Sequence, residues 1–388
     1  MSTIKVNKIE NTATADGGIA IDASGHVTVD GQQLPTVGAL SNRNIIINGA
    51  MQVAQRGTSG TTTSSSAYLS VDRWKCTDGG QGDFTVSQSS TAPDGFANSV
   101  KWDCTTADTS ITDEIYMEQQ IEGQDLQQLG YGTSSAKSIT ISFWVRSNLT
   151  GQFGVWLENF DSSRYFTTSG YTINTADTWE HKTITIPGDT GGSGFGDDNG
   201  TGMKFRWHLA VRSSYQGTPS GSWSTSASNR SQSSHVNLAS STANEWYLTG
   251  VQIEVGEKAT AFEHKRFDQE LTDCCRYYQK SYQYGTAPGT VEDNGAICRR
   301  SSQGTTMSQH MGFEFRHRFR ANPTVTIYSP QSGTASQVSN RGSAPTTHNS
   351  NVNVGSIFNI GQIAVSAMEL SSSTGPAILY HYEADAEL

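Results

Sequence analysis

Side chains that could recognise a ligand lie on three segments in which apolar and polar residues alternate. The segments are "SITISFWVRS" (138–147), "GQFGVWLENF" (151–160) and "MKFRWHLAVRS" (203–213). Successive side chains of a β-strand point to opposite faces, so each segment predicts a strand with one apolar face. The opposite faces carry Trp144, Arg146, Trp156, Glu158, Arg206, His208 and Arg212.

Aromatic rings beside planar hydrogen-bonding groups are suited to sugars. A sugar ring offers an apolar C–H surface and several hydroxyls, which an aromatic platform and a few fixed polar groups can match. If the apolar rows fill a core, the seven residues point outward and form a candidate glycan-binding surface. Burial of each tryptophan in the core is the competing interpretation, because a strand can be covered on both faces.

A second candidate surface lies in "FEFRHRFR" (313–320). Its phenylalanines alternate with Arg316, Arg318 and Arg320. Such a cationic ridge could meet phosphates or uronic acids of a bacterial envelope; the alternative is a solvated face opposite a buried one. The polar stretch 341–353 is predicted to be a loop and is a further candidate for ligand contact.

Signals for metal binding and catalysis are sparse. Asp197, Asp198 and Asn199 could supply oxygens to Ca²⁺, although an ordinary loop explains them equally. This structural Ca²⁺ is the only cofactor that the sequence suggests. Glu158 and Asp161 are the candidates for the two carboxylates of a glycosidase. The sequence lacks the nucleophile-elbow, zinc-protease, phosphate-loop and C-x-x-C motifs, so we expect a binding protein with no catalytic residues.

Composition and charge argue against several classes of protein. A net charge of −10 over 388 residues disfavours nucleic-acid binding, which needs a basic face. No apolar run approaches about 18 residues, so no membrane insertion is predicted. The first residues lack the apolar core of a secretory signal, which predicts folding in a cytosol. Five irregularly spaced cysteines predict reduced, mostly buried thiols.

Four regions follow one another along the chain. Residues 1–40 form a leader in which "GIAIDASGHVTVDG" predicts a hairpin, with two isoleucines opposite two valines. Residues 41–263 are rich in strands and fit a two-sheet sandwich of jelly-roll type. A connecting helix is predicted at 264–283 and a distal β domain at 284–388. The predicted fold class is therefore mainly β: an N-terminal β leader, a jelly-roll β-sandwich, a single connecting helix and a distal C-terminal β domain.

The predicted helix lies in "AFEHKRFDQELTDCCRYYQ" (261–279) and carries two adjacent cysteines. Adjacent helical residues point about 100° apart, so the pair is poorly placed to hold one metal or to form a disulfide. Asp268 is predicted to cap the helix. An apolar stripe is expected to pack between two β modules or around a threefold axis. The stripe consists of Phe267, Leu271, Cys274, Cys275 and Tyr278.

Four stretches resemble the tail-fibre and receptor-binding proteins of tailed bacteriophages, especially those of marine and cyanobacterial hosts. They are "NRNIIINGAMQVAQRGTS" with "YLSVDRWK", "TIPGDTGGSGFGDDNGTGMKFRWHLA", "EWYLTGVQIEVGEKATAFEHKRFDQELTDCCRYYQKSY" and "YHYEADAEL". The resemblance implies a jelly roll similar to carbohydrate-binding modules, a distal β domain, a homotrimer, and adhesion to host surface glycans such as lipopolysaccharide or capsule.

The resemblance also implies a location. The protein would be assembled in the host cytoplasm and carried on the virion as a tail fibre, with its leader bound to other virion proteins. A tail-associated polysaccharide depolymerase and a capsid-mounted decoration fibre remain open as alternatives.

Overall fold

A computed structural model describes residues 8–10, 18–21, 27–29, 32–33, 41–62, 66–300, 312–341, 348–371 and 377–388. The chain is mainly β, as predicted, and its antiparallel sheets are consistent with a jelly-roll β-sandwich. No helix within the described ranges is both long and apolar enough to cross a membrane.

The leader contains a small antiparallel sheet whose strands follow one another in sequence order. Ile19 lies opposite Val29 and Ile21 opposite Val27, which confirms the predicted hairpin. Ile19 also lies opposite Ile9, and both side chains are exposed, by 42% and 59%. This sheet therefore leaves apolar side chains in solvent. Its strands are β1 (Lys8–Glu10), β2 (Gly18–Ile21), β3 (Val27–Val29) and β4 (Gln32–Gln33).

The next region holds the strands of the sandwich and three short 3₁₀ helices. The strands are β5 (Ser59–Thr61), β6 (Ser66–Tyr68), β7 (Lys75–Thr77), β8 (Asp83–Ser89), β9 (Ser99–Thr106), β10 (Glu114–Glu122), β11 (Ile139–Ser147), β12 (Gly151–Asn159), β13 (Arg164–Thr167), β14 (Tyr171–Ile173), β15 (Glu180–Ile186), β16 (Thr201–Val211), β17 (Gln216–Gly217), β18 (Ser231–Gln232) and β19 (Glu245–Val255). The 3₁₀ helices are Gly123–Leu129, Ser213–Tyr215 and Leu238–Ser240.

Two sheets of this region enclose one core. In the described residues one sheet has the order β15-β11-β19-β9-β8-β5, and the other has the order β13-β12-β16-β10-β7-β6, with β14 also paired to β12. Phe143 of the first sheet packs edge-on against Trp207 of the second, with ring centroids 5.9 Å apart. Both side chains are fully buried, as the alternation predicted, because the apolar rows of both sheets face each other.

The helix α1 covers Phe267–Cys275, which is shorter than predicted at both ends. It begins after Arg266 without a side-chain cap, so the prediction that Asp268 caps it is wrong; Asp268 lies in the first turn and accepts from Arg266. Cys274 and Cys275 are buried and free, as expected. Burial raises the pKa of Cys275 to about 12, so the thiol stays protonated. Phe267 is 44% exposed, so the predicted apolar stripe is not buried at the first residue of the helix.

The distal sheet is organised around its last strand. In the described residues this strand, β27 (Ala377–Asp385), pairs with four others: β20 (Tyr278–Lys280), β21 (Ile297–Arg300), β23 (Thr324–Tyr328) and β24 (Gln337–Arg341). The sheet starts directly after the helix, with Tyr278 as its first residue, although this residue was predicted to belong to the helix stripe. Its strands are β20 (Tyr278–Lys280), β21 (Ile297–Arg300), β22 (Phe313–Glu314), β23 (Thr324–Tyr328), β24 (Gln337–Arg341), β25 (His348–Ile360), β26 (Ala364–Leu370) and β27 (Ala377–Asp385).

Two predictions for this region are corrected. The stretch 341–353 is not one loop, because 348–353 belongs to β25, and 342–347 lies outside the described residues. The segment "FEFRHRFR" is a strand only at Phe313–Glu314. Beyond it, the backbone of Phe315 and Phe319 donates to the carbonyls of Ile363 and Gln362, so the chain turns out of the sheet.

Candidate functional site

Four of the predicted residues meet on the outward face of the seven-stranded sheet. The strands β10, β16 and β12 are neighbours, and Glu118, Arg206 and Trp156 lie side by side across them. Two residues further along β16, His208 lies between Tyr116 of β10 and Gly154 of β12. We call this outward surface the sheet face. It comprises Tyr116, Glu118, Trp156, Glu158, Lys204, Arg206 and His208.

Aromatic rings are stacked on the sheet face. Trp156 lies against Tyr165 of β13, with centroids 5.3 Å apart and planes 14° apart. The Arg206 guanidinium lies 4.9 Å from the Trp156 ring and 3.9 Å from the Tyr116 ring. Trp156 lies on the face of β12 turned away from the sandwich core, but it is only 2% exposed, so this tryptophan is buried. Tyr116 and Tyr165 are half-buried and are the rings that a ligand can reach.

A buried charge network holds these rings in place. Arg206 donates to Glu118 at 2.8 Å, and Arg230 donates to Glu114 at 2.5 Å. The His208 Nε2 atom lies 3.0 Å from Glu114 Oε1. Burial opposes the charge on Glu114, but His208, Arg206 and Arg230 outweigh it and lower the pKa of Glu114 to about 2.

The two histidines of this region are neutral at physiological pH. Burial lowers the pKa of His208, and it lowers the pKa of His235 to about 4. His235 accepts from the Gly154 amide at 2.9 Å through Nε2 and donates through Nδ1 to the Val236 carbonyl at 2.6 Å. These groups therefore position backbone and Glu114, and they do not offer a cation to a ligand.

Residues 212–236 lie across the sheet face, and we call them the cover segment. Tyr215 lies between the guanidinium groups of Arg212 and Arg230, at 4.1 Å from each. Arg212 was predicted to contact a ligand from the strand, but it donates to Ser214 and belongs to the cover segment rather than to the sheet face. The Arg230–Glu114 pair ties this segment to β10.

Several buried polar atoms on or beside the sheet face have no protein partner among the described residues. They include the Trp156 indole nitrogen, the His208 Nδ1 atom, the Gln152 side-chain oxygen and the Gln232 side-chain nitrogen. These atoms are shielded from solvent, and none of their residues lines the cavity beside the aromatic stack, so they do not serve as ligand contacts.

A cavity of about 100 Å³ opens beside the aromatic stack. Tyr165 and Thr167 form one wall. The opposite wall is the stretch "TPSGSWSTSASN" (218–229), whose serines occupy every second position from 220 to 228. All five serines line the cavity, although the backbone of this stretch consists mostly of bends and irregular structure. The residues were not among the sequence predictions, although this period of two was visible in the sequence.

Trp144 and Arg146 lie elsewhere. They belong to β11 and face outward from the six-stranded sheet, on the other side of the sandwich. Arg146 is paired with Asp177 at 2.9 Å and lies 4.9 Å over Tyr247. Trp144 packs against His181, with centroids 5.1 Å apart. The structure therefore does not bring these two residues together with the sheet face.

The predicted ridge of arginines is also divided. Arg318 donates to the Gln362 side chain at 2.8 Å, whereas Arg320 donates to the Asn199 carbonyl at 2.7 Å. Arg316 instead lines a separate cavity beside α1. Because the chain leaves the sheet after Glu314, the three guanidinium groups do not form one surface.

The residues considered for Ca²⁺ and for catalysis have other partners. Asp198 accepts from the Gly200 amide at 2.7 Å, and the Asn199 side chain donates to the Arg320 carbonyl. The described part of the chain, which includes Asp197, contains no group of three or more His, Cys, Asp or Glu residues that could hold a metal ion. Glu158 is paired with Lys204 at 3.3 Å, and Asp161 accepts from the Gly196 amide.

Comparisons with known proteins identify similar structures but no family. No family model matches the chain, and no curated protein matches it. The enzymatically active domain of a tailspike protein from bacteriophage CBA120 aligns with 55% of this chain at 12% identity and a TM-score of 0.29, and the chain covers only 21% of that domain. A xylan-binding domain from Paenibacillus barcinonensis aligns with 56% of this chain at 9% identity and a TM-score of 0.29, over 96% of its own length. Similarities this weak do not identify a ligand for the chain.

Proposed function

We propose that this chain is a non-catalytic glycan-binding protein of a bacteriophage virion that attaches the particle to polysaccharide on the host surface. The observation that carries glycan binding is the stack of Trp156, Tyr165 and Arg206 beside the serine-lined cavity. A half-buried ring offers an apolar platform, and the adjacent serine hydroxyls match sugar hydroxyls.

The charge network beneath the stack supports a binding role. Glu114, Glu118 and Arg206 are largely buried and fix the aromatic rings, so little ordering is required when a ligand binds. A pre-organised surface of this kind suits weak ligands such as single sugar units. The role on a virion rests on the sequence resemblance.

Replacing Tyr165 by alanine tests the sheet face directly. We expect about tenfold weaker binding to an array of bacterial surface polysaccharides, because the reachable ring of the stack is lost while Trp156 stays in place. Trp144→Ala is the matched control, since it removes a half-buried ring from the opposite side of the sandwich. If Trp144→Ala weakens binding and Tyr165→Ala does not, the glycan site is on the six-stranded sheet.

The oligomeric state tests the virion role. Exposed isoleucines of the leader sheet, such as Ile9 and Ile19, would be covered if leaders of sister chains packed together. Light scattering on the purified protein is expected to give about three times the chain mass of 41.8 kDa. A trimer would raise the avidity of weak sites by multivalency. A monomer at micromolar concentration would contradict this part of the proposal.

A further inference from the structure

A second cavity, of about 270 Å³, lies at the junction of the helix and the distal sheet. Leu271 and Thr272 of α1 form one side, and Tyr282, Tyr284 and Arg316 form the others. We call it the junction cavity. It shares none of its lining residues with the sheet face or with the serine-lined cavity, so its chemistry can be considered separately.

Arg316 is the distinctive residue of the junction cavity. Its side chain is exposed and makes no hydrogen bond or ion pair with the described residues, whereas Arg318 and Arg320 are bonded to Gln362 and Asn199. A guanidinium group without a partner presents a planar fork of donors that matches a carboxylate or a phosphate group.

The charge around the cavity also favours an anion. The Lys280 ammonium lies in the wall and donates to three carbonyls, those of Gln55, Tyr284 and Thr286, so it can favour an anion through its charge alone. Burial lowers the pKa of Lys280 to about 8, so most of its charge remains at neutral pH. The lining carboxylate of Asp268 is paired with Arg266, at 2.7 Å, so this negative charge is compensated.

The tyrosines give the cavity an apolar surface next to this charge. Tyr284 is 39% exposed and is supported by Phe267, with ring centroids 5.3 Å apart. Tyr282 is held by stacking on His381 at 3.7 Å. A fixed ring beside an anion-binding group can take the C–H face of a sugar that carries an acidic substituent.

We propose that the junction cavity binds an acidic sugar unit, with Arg316 holding its anionic group and a tyrosine ring facing its C–H surface. The shared chemistry is a sugar that bears either a carboxylate, as in a uronic acid, or a phosphate group. The inference deepens the proposed function, since it takes the ligand to be a glycan, but it concerns a different site.

Titration of the full chain with glucuronic acid, glucose 6-phosphate and glucose, followed by ligand-observed NMR, tests this inference. We expect one or both acidic sugars to bind, glucose to bind far more weakly at this site, and Arg316→Ala to weaken acidic-sugar binding by about tenfold or more. Preference for glucuronic acid would identify a carboxylate ligand, and preference for glucose 6-phosphate a phosphate ligand.

Arg318→Ala is the control for the loss of a positive charge two residues away, because Arg318 does not line the cavity. An equal effect of the two variants, or equal binding of glucose and the acidic sugars, would overturn the inference. Loss of polysaccharide binding on Tyr165→Ala with unchanged glucuronic acid binding would show that the two sites are independent. The proposed function and the inference can therefore fail separately.

Discussion

Replacing Glu387 by alanine is expected to lower the free energy of unfolding by about 3–5 kcal/mol, because it leaves the buried guanidinium of Arg73 without a carboxylate partner. Glu387 lies next to the C-terminus, yet its side chain is only 4% exposed and contacts two arginines of the sandwich region. Arg73 donates to it and is completely buried, and Arg56 lies 3.4 Å from its other oxygen.

The remaining contacts of Arg73 explain why the loss would not be repaired by a side-chain movement. Its guanidinium lies 3.4 Å over the ring of Tyr277, just after the helix, and also donates to the Gln120 carbonyl at 2.6 Å. The arginine is thus fixed by the sandwich, the helix junction and the C-terminal residues together. Without Glu387, its charge has no route to solvent.

Urea denaturation followed by tryptophan fluorescence and by circular dichroism measures the effect of Glu387→Ala. Glu257→Ala serves as the control, since Glu257 is exposed and its removal should change stability by less than about 0.5 kcal/mol. Similar midpoints for the two variants would show that the buried pair does not support the fold.

The same contacts affect how binding experiments should be designed. Arg56 also pairs with Asp385 at 2.8 Å, and the Tyr68 hydroxyl donates to the Leu388 carbonyl at 3.0 Å. Removing the residues after about 284 would delete β27 together with Asp385 and Glu387, the acidic partners of Arg56 and Arg73 in the last residues of the chain. Single substitutions such as Tyr165→Ala and Arg316→Ala therefore separate the two candidate sites more cleanly than a truncation.

Local sequence patterns predicted the strands, but they could not predict which outward rows meet. Residues 139–147 and 151–159 follow each other closely and alternate in the same way, yet β11 and β12 belong to different sheets. Trp144 and Trp156 therefore face opposite sides of the molecule. The neighbours of each strand are set by pairing between segments that are distant in sequence, such as β10 with β16. The alternation of apolar and polar residues within one strand does not predict which other strand it pairs with.

The arginines after Glu314 show a second feature that the sequence pattern could not predict. Alternation in "FEFRHRFR" is typical of a strand, but backbone bonds to 362 and 363 bend the chain after two residues. The phenylalanines still reach the core: Phe313, Phe315 and Phe319 are 0–8% exposed. Apolar burial was thus predicted correctly, whereas the positions of the arginines depended on a turn that tertiary contacts impose.

Glu114→Gln is expected to destabilise the protein at neutral pH and to release the cover segment from the sheet face. In the folded protein Glu114 has a pKa of about 2, compared with 4.5 for an ordinary glutamate. A difference of this size corresponds to about 3 kcal/mol of stability. Because the folded pKa is the lower one, this stability is fully present above about pH 5 and is lost as the pH falls towards 2.

The buried His208 beside Glu114 also makes the folded protein less stable as the pH falls. Burial lowers the pKa of His208 in the folded state, so protonation below the ordinary histidine pKa of 6.5 also favours unfolding. The wild-type protein should therefore lose stability steadily on acidification. Glu114→Gln should start about 3 kcal/mol lower at pH 7 and change less between pH 5 and pH 2, which thermal denaturation at several pH values can measure.

Limited proteolysis at pH 7 distinguishes release of the cover segment from general destabilisation. With the Arg230–Glu114 pair broken, we expect cleavage within 218–229 at protease concentrations that leave the wild type intact. Glu180→Gln is the matched control. Burial opposes the charge on Glu180, but Lys182 and the residues at 174 and 175 together outweigh it and lower the pKa of Glu180 to about 2. Glu180 does not contact the segment. Equal protection of 218–229 in both variants would mean that Glu114 does not hold the cover segment. The cavity beside Tyr165 exists only while residues 218–229 are in place, because these residues form one of its walls. Cleavage only in Glu114→Gln would therefore show that the buried Glu114 carboxylate stabilises both the fold and the proposed glycan-binding surface.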